Sequence, residues 1–417
     1  MHIAIISINY APDQTGIAVY TTGMAEYLAQ TGHQVTVHTG FSYYPMWRKA
    51  AADRHRWHRR EEVNKVSLRR SYLYVPASPS PIRRMLHEAS FALTSFLSYL
   101  FAPRADVTIV VTPPLPGAMP LLLAARLKRS RSILHVQDLQ PDVAVNLGML
   151  GRGPLTSFLY ALERQTYAQA DYISSISHGM LEAIKAKGVP QDKLFLFRNW
   201  ANDSTVRPRD RATAYREEWG LGEKFVVLYS GNLGVKQGLE MMLDAAQRLV
   251  HQADIVFVIV GDGGERDRLI GDARRRRLTN VIFKPLQPFA QLEALLATAD
   301  VSAIPQRPGV NDIVMPSKLG NILASGRPLI VAADAGTELE TMVRSAGCGH
   351  CVEPGNARAM ARAVLRLRGS PEECARLGLN GIKLTQTSLS EHAVLSQFAA
   401  KLEEITRDAG LETSQAS

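Results

Sequence analysis

Twice along this chain an unbroken apolar run ends in a glycine-bearing loop that opens a helical pattern. The first run is "HIAIISIN" (2–9), followed by "YAPDQTGIAVY" with Gly16 at the helix entry; the second is "FVVLYSG" (225–231), followed by "NLGVKQG". A strand with no polar alternation must be covered on both faces, which in water means a parallel sheet flanked by helices. Further runs repeat the pattern: "VTIVVT" (107–112), "SILHVQD" (132–138), "YISSIS" (172–177) and "LFLFRN" (194–199), then "IVFVIVGDGG", "NVIFKP" and "PLIVAA". The expected fold class is therefore α/β, as two doubly wound, Rossmann-like domains facing across a cleft. The length of 417 residues suits two cores better than one. The polar, turn-forming stretch 200–219 reads as the linker, which leaves an N-terminal domain of 1–200 and a C-terminal domain of 201–390.

A composition 46% hydrophobic and 21% charged excludes a disordered or fibrous chain. "MHIAIISINY" has no basic leader, and Cys348, Cys351 and Cys374 give no disulfide framework, so a cytoplasmic chain is expected. The net charge of +9 is one-sided. Residues 1–200 carry 22 Lys and Arg against 13 Asp and Glu, and 48–84 alone carry 11 against 3, whereas the rest of the chain is balanced. Such a basic half calls for an anionic partner. No helix-turn-helix or aromatic platform supports nucleic acid, so none is expected.

Residues 85–101, "MLHEASFALTSFLSYLF", point toward a membrane surface. His87, Glu88, Thr94, Ser95 and Ser98 fall on one helical stripe opposite a broad apolar face, with Arg83, Arg84 and Arg104 flanking. The stretch is too short and polar to span a bilayer. Two readings stand: an interfacial helix on an anionic membrane surface, or a core helix packed on its own sheet.

Three strand-end segments of the second half look convergent on one anion. "SGNLGVKQG" offers main-chain N–H groups from Gly231 through Asn232 to Gly234, with Lys236 close behind; "VGDGG" follows the next strand with Gly261. In "NDIVMPSKLGNILASGRPLIV" (311–331), a helix start at Pro316-Ser317 places Lys318 in the first turn. A cation beside a helix N-terminus suits phosphate. Cys348-Gly-His-Cys351 matches a redox spacing but lies late in the domain between turns, and reads as a coincidental structural pair. No aspartate cluster suggests a metal, and no Walker loop, G-x-S-x-G elbow or HExxH occurs.

These segments, with "INYAPDQTGIAVYTTGMAEYLAQTGHQVTVHTG", "YYPMW", "LHVQD", "SISHGM" and "FRNW", resemble family 4 glycosyltransferases of the GT-B fold, closest to bacterial exopolysaccharide enzymes of the colanic acid fucosyltransferase subgroup. The resemblance covers almost the whole chain. It implies a retaining transferase whose C-terminal domain holds a nucleotide-diphosphate sugar, with GDP-fucose favoured, and needs no other cofactor. The N-terminal domain would take a lipid-linked, polyprenyl diphosphate glycan at the cytoplasmic face of the inner membrane. A helix at about 391–410 is expected to return to that domain.

By the resemblance Gly16 approaches the donor phosphates. Asp138, ending a strand, either lies near sugar or acceptor or caps a helix. Lys318 and Lys236 would meet the leaving diphosphate, with Asp312, Ser317 and Asn321 beside them. The chain departs from the family in its signature glutamates: Ile313 and Asn321 stand at those two positions. Asn232 replaces the usual arginine, and Gln237 stands near the usual lysine, one residue after Lys236. Two rival functions follow, a nucleotide-sugar 2-epimerase of the same architecture and a catalytically silent glycan-binding subunit.

Overall fold

The computed structural model describes the chain apart from residues 14–15, 45, 79, 147–150, 152, 202–205, 311–314 and 416–417. It divides into two compact units. One holds Met1–Val145, the stretch ending at Arg198, and the chain from Leu395 onward; the other holds Asn199–Val394.

In the first unit, strands β1 (His2–Ile6), β2 (Gln34–Gly40), β3 (His58–Val63), β4 (Val66–Ser71), β5 (Val107–Thr112), β6 (Arg131–Val136), β7 (Tyr172–Ser175) and β8 (Leu194–Leu196) form one sheet. Their spatial order is 3-4-2-1-5-6-7-8, and every pair is parallel except the β3–β4 hairpin. Helices α1 (Ile17–Gln30), α2 (Pro81–Leu100), α3 (Ala118–Leu127), α4 (Gln140–Asn146), α5 (Pro154–Gln169) and α6 (His178–Ala186) connect them. The apolar runs are buried as their pattern requires: Ile3, Ile5, Val107 and Ile109 have no exposed surface.

The basic segment 48–84 contributes the hairpin, and part of its charge is internal. Arg59 pairs with Asp53 at 2.7 Å and with Glu61 at 3.1 Å; buried Arg70 pairs with Glu61 at 2.5 Å. Arg54, Arg56 and Arg60 remain exposed.

In the second unit, β9 (Phe225–Ser230), β10 (Ile255–Val260), β11 (Val281–Lys284), β12 (Val301–Ile304), β13 (Leu329–Ala332) and β14 (Gly349–Val352) form a parallel sheet in the order 11-10-9-12-13-14. Alternate residues of β9 enter two separate cores, Val227 and Tyr229 on one face, Val226 and Leu228 on the other. Helices on both faces complete the doubly wound layer: α7 (Ala214–Glu218), α8 (Glu240–Arg248), α9 (Arg266–Arg275), α10 (Leu292–Ala297), α11 (Leu319–Ala324), α12 (Glu338–Ala346), α13 (Ala357–Arg368) and α14 (Pro371–Gln386).

The stretch read as a linker is in part a structural element of this unit. Tyr215 and Trp219, four residues apart, put one face of α7 into the core. Arg216 is buried beside them and held by the Asp300 carboxylate at 2.6 Å and by three carbonyls. Helix α15 (Glu391–Gln415) ends the chain, and Phe398 stacks on Phe197 at 3.8 Å within the first unit.

Candidate functional site

The order of the second sheet creates the site. From β9 the chain proceeds to β10 and β11 on one side, then returns to β12 on the other side of β9. Loops leaving β9 and β12 therefore part company at their carboxyl ends, the place where open α/β sheets bind ligands. The glycine loop 231–238 follows β9, and the segment carrying Lys318 follows β12.

Lys318 is placed differently from the sequence expectation. Helix α11 begins at Leu319, after a turn closed by Leu319 N–H donating to Pro316 O at 3.1 Å, and Lys318 is its N-cap residue. The helix is only six residues long. The Lys318 ammonium lies 3.7 Å from the centre of the Tyr229 ring, is buried, and has no hydrogen-bond partner among the described residues. Burial, with repulsion from Lys236, pulls its pKa down to about 7. An unpaired buried cation is costly and attracts an anion.

Neighbouring positions keep room around it. Gly231 has φ 143°, and a Cβ there would stand 2.7 Å from Lys318 Nζ. Gly261 has φ 147°, and a Cβ there would collide with the Gly231 carbonyl oxygen. Only glycine lets the β9 and β10 loops touch.

The loop amides are less free than the glycine pattern suggested. Gly231 N–H donates to Val260 O at 3.0 Å, Leu233 N–H to Asp262 O at 2.8 Å, and Gly234 N–H to the Gln237 side-chain oxygen at 3.1 Å. These bonds lock the two loops together, so the charge falls to the ammonium groups. Lys236 lies in the 3₁₀ turn Val235–Gln237, and its carbonyl accepts from Arg307 N–H at 3.1 Å. Ser317 is exposed; Asn321 is half-buried in the first turn of α11; Asp312 lies outside the described residues. Sequence reasoning missed Tyr229, although strand alternation puts it on the same face as Val227.

In the first unit the corresponding switch falls between β1 and β5. Gly16 is the N-cap of α1 with φ 61°, and a side chain there would point into open space. Asp138 is half-buried and lies two residues beyond the end of β6, in the loop before α4, rather than at the end of the strand itself. Asp13 is the acid that went unread: it is buried, accepts from Asn9 Nδ2 at 3.0 Å and from the Ser42 hydroxyl, and burial pushes its carboxyl pKa up. Its signal was a single acid three residues before Gly16.

Tyr43 and Trp47 of "YYPMW" join an aromatic cluster. Tyr43 lies 5.4 Å from Trp47 and 4.5 Å from His87 of α2, with Arg84 over the Trp47 ring at 5.4 Å. Cys348 and Cys351 sit just before and within β14, with both thiols pushed up to about 11 chiefly by burial. Neither has the helix N-terminus that activates a thiolate.

Two doubly wound units, one with an anion-seeking ammonium at its switch point, define the architecture of the GT-B sugar transferases. The comparisons agree: a Glycosyl transferase 4-like domain matches residues 15–200, and the Glycosyl transferases group 1 model matches 212–384. This chain belongs to the family 4 glycosyltransferases of the GT-B fold.

Among its relatives is a protein of Escherichia coli (strain K12) named as the colanic acid biosynthesis glycosyl transferase WcaI. It is 38% identical over 373 residues, covering 87% of this chain and 91% of the relative. Among solved structures, sucrose-phosphate synthase from Thermosynechococcus elongatus superposes with a TM-score of 0.74 at 18% identity, covering 98% and 99% of the two chains. Anabaena HepE, solved in complex with UDP-glucose, gives 0.70 at 15% identity, covering 97% and 100%.

Proposed function

We propose that this glycosyltransferase moves a sugar from a nucleotide-diphosphate donor to a polyprenyl diphosphate-linked oligosaccharide in bacterial exopolysaccharide synthesis. GDP-fucose is favoured over other GDP- and UDP-sugars. The protein works on the cytoplasmic face of the inner membrane, held peripherally on an anionic lipid surface. The observation that carries the reading is the Lys318 ammonium at the switch point of the second sheet, buried and without a hydrogen-bond partner among the described residues. The relative named for colanic acid synthesis supports the pathway, and the neighbour solved with UDP-glucose supports the donor class.

In this reading the bond between the anomeric carbon and the β-phosphate oxygen breaks, and its electron pair leaves with the nucleoside diphosphate. The acceptor hydroxyl oxygen bonds to the same face of that carbon, so configuration is retained, and its proton passes to the departing phosphate oxygen. Lys318 and Lys236 stabilise the charge that develops there; a preorganised donor of this kind is worth roughly 10²–10³ in rate. Gly231, Asn232, Gly234 and Gly261 shape the floor, and Asp312, Ser317 and Asn321 complete the donor side. Gly16 serves the donor phosphates, and Asp138 the sugar or the acceptor.

The test is a panel of GDP- and UDP-sugars, with nucleotide release and product measured with and without membrane extract. Release that needs both one donor and the extract is expected. An isomerised sugar formed without acceptor would favour the epimerase. Donor binding without any turnover would favour a silent subunit.

A further inference from the structure

Helix α2 is turned with its apolar face outward. The polar stripe faces the protein's own β4 and β2: Thr94 Oγ1 donates to Tyr72 O at 2.6 Å, Ser90 Oγ accepts from Tyr74 N–H at 2.8 Å, and Ser98 Oγ bonds His38 Nδ1 at 3.0 Å. His87 is buried on the same side, bonded to Tyr74 O. Phe91 and Tyr99 are buried on that side as well, while the isoleucine, methionine and most leucines of the helix are left outside.

What α2 leaves in water is a continuous row: Ile82, Met85, Leu86, Leu93 and Leu97 are exposed, and Phe101 just past the helix is 80% exposed. At 1.5 Å per residue the row runs for roughly 30 Å. The surface widens sideways. Helix α3 packs against α2, and α5 against α3. These two add exposed Leu127, at 81%, and Leu155 and Phe158. A patch of this kind marks a docking surface.

Charge selects the occupant. Exposed Arg83, Arg84, Arg126 and Arg164 stand on the three helices, with Arg104 and Arg129 just beyond their ends. The only acidic residues of the three helices are Glu88 and Glu163. Glu88 is half-buried, and Glu163 is buried and paired with Lys187 at 2.6 Å. A second copy docked face to face would set these six arginines chiefly against their own kind, since neither helical carboxylate is exposed and the exposed Asp106 is one against six. An acidic lipid surface satisfies both halves: acyl chains take the leucines and phenylalanines, and headgroup phosphates take the arginines.

We infer that the outer faces of α2, α3 and α5 form one membrane-inserting surface, in which the apolar side chains enter the acyl boundary of an anionic leaflet and the surrounding arginines hold its phosphates. This deepens the proposed function and rests on it for the purpose of docking, which brings the enzyme to a lipid-carried acceptor.

The test uses the full chain and sedimentation with vesicles of phosphatidylcholine plus phosphatidylglycerol, or of phosphatidylcholine alone. The triple variant Leu93→Ser, Leu97→Ser, Phe101→Ser should lose at least ~100-fold in partition, by the apolar area it withholds. Its melting temperature should fall only slightly, because Leu93 and Phe101 lie mostly in water and Leu97 is 44% exposed. Leu93→Met with Leu97→Met should bind as the parent does. Phosphatidylcholine alone should bind the parent more weakly. Undiminished vesicle binding by the triple variant overturns the inference. So does a parent dimer that the same substitutions dissociate while vesicle binding persists. The proposed function is read separately, as transfer to lipid-linked acceptor: vesicle binding that depends on this face with no transfer leaves the surface standing and removes the reaction.

Discussion

The ammonium of Lys318 sits 3.7 Å from the centre of the Tyr229 ring, on the carboxyl side of the central strand of the second sheet. A desolvated cation gains about 2 kcal/mol from such a ring. That offsets only part of what it loses on leaving water, since no hydrogen-bond acceptor among the described residues meets it. The Tyr229 hydroxyl is committed elsewhere, donating to Asn232 O at 2.6 Å, which fixes the ring that holds the cation. The pair therefore stores a charge in position without neutralising it.

If that charge serves the departing diphosphate, Lys318→Ala should lower turnover by at least ~10². Melting temperature should hold or rise, since an unpaired buried charge is removed. Lys318→Arg should recover only part of the rate, because a planar guanidinium is larger and spreads its charge. Turnover close to normal in the alanine variant would leave Lys318 a packing residue.

The lowered pKa of Lys318, about 7 without ligand, gives donor binding a pH signature. A bound phosphate should return the group toward its ordinary value near ~10.4. Donor affinity should then be flat below pH 7 and fall as pH rises above it, by up to about tenfold per unit, because binding must recruit a proton. The ligand-free protein should move the other way. Its unfolded chain holds a proton that the native state gives up above pH 7, so this group adds stability as pH rises toward 10. Calorimetry in buffers of differing ionisation enthalpy would show proton uptake on donor binding. No uptake in the parent, or equal uptake in Lys318→Met, would remove the group from the donor site.

Much of this architecture was legible because it rests on local signals. Unbroken apolar runs gave the parallel strands, and glycines after β9 and β10 marked where loops must touch. Other features needed tertiary information. Periodicity shows that α2 has a polar and an apolar face, but not that Tyr72, Tyr74 and His38 wait to bond the polar one. The Lys318 segment reads as a surface helix start, and nothing in it announces an aromatic ring supplied from 89 residues earlier. Polar residues around α7 hid two core aromatics, Tyr215 and Trp219. Arginines counted as surface charge included Arg59 and Arg70, which belong to the protein's own carboxylates.

Gly231 should be intolerant of even one methyl group. Gly231→Ala places a carbon 2.7 Å from Lys318 Nζ and forces a side chain onto φ 143°. The backbone strain should cost about 1–3 kcal/mol of stability. Displacing the ammonium should raise the donor KM at least ~10-fold by weakening a charged contact. Gly264→Ala, which meets nothing within 4 Å, is the control and should change neither. A Gly231→Ala enzyme with the parent's KM would show that the ammonium does not need its present position.

If the enzyme docks on an anionic membrane, the β3–β4 hairpin should supply a second, electrostatic attachment. Arg54, Arg56 and Arg60 are exposed, and Trp57 beside them is 72% exposed while stacked on Tyr72 at 4.8 Å. An aromatic ring among arginines suits the headgroup layer. Each arginine near an anionic surface contributes about 1 kcal/mol, and that attraction decays over a Debye length of ~8 Å at physiological ionic strength. Changing Arg54, Arg56 and Arg60 to Ser should weaken vesicle binding at low salt by roughly 100-fold and flatten its salt dependence. Arg59 is left in place because it pairs with Asp53 and Glu61, and its loss would disturb the hairpin itself. Hydrolysis of donor by water should stay unchanged, since the second unit is untouched, whereas transfer to a lipid-linked acceptor should fall. The apolar row on α2 answers to a different test: its serine variant should lose binding at high salt as well as low. A hairpin variant that binds vesicles as tightly as the parent at low salt would confine attachment to the helical face.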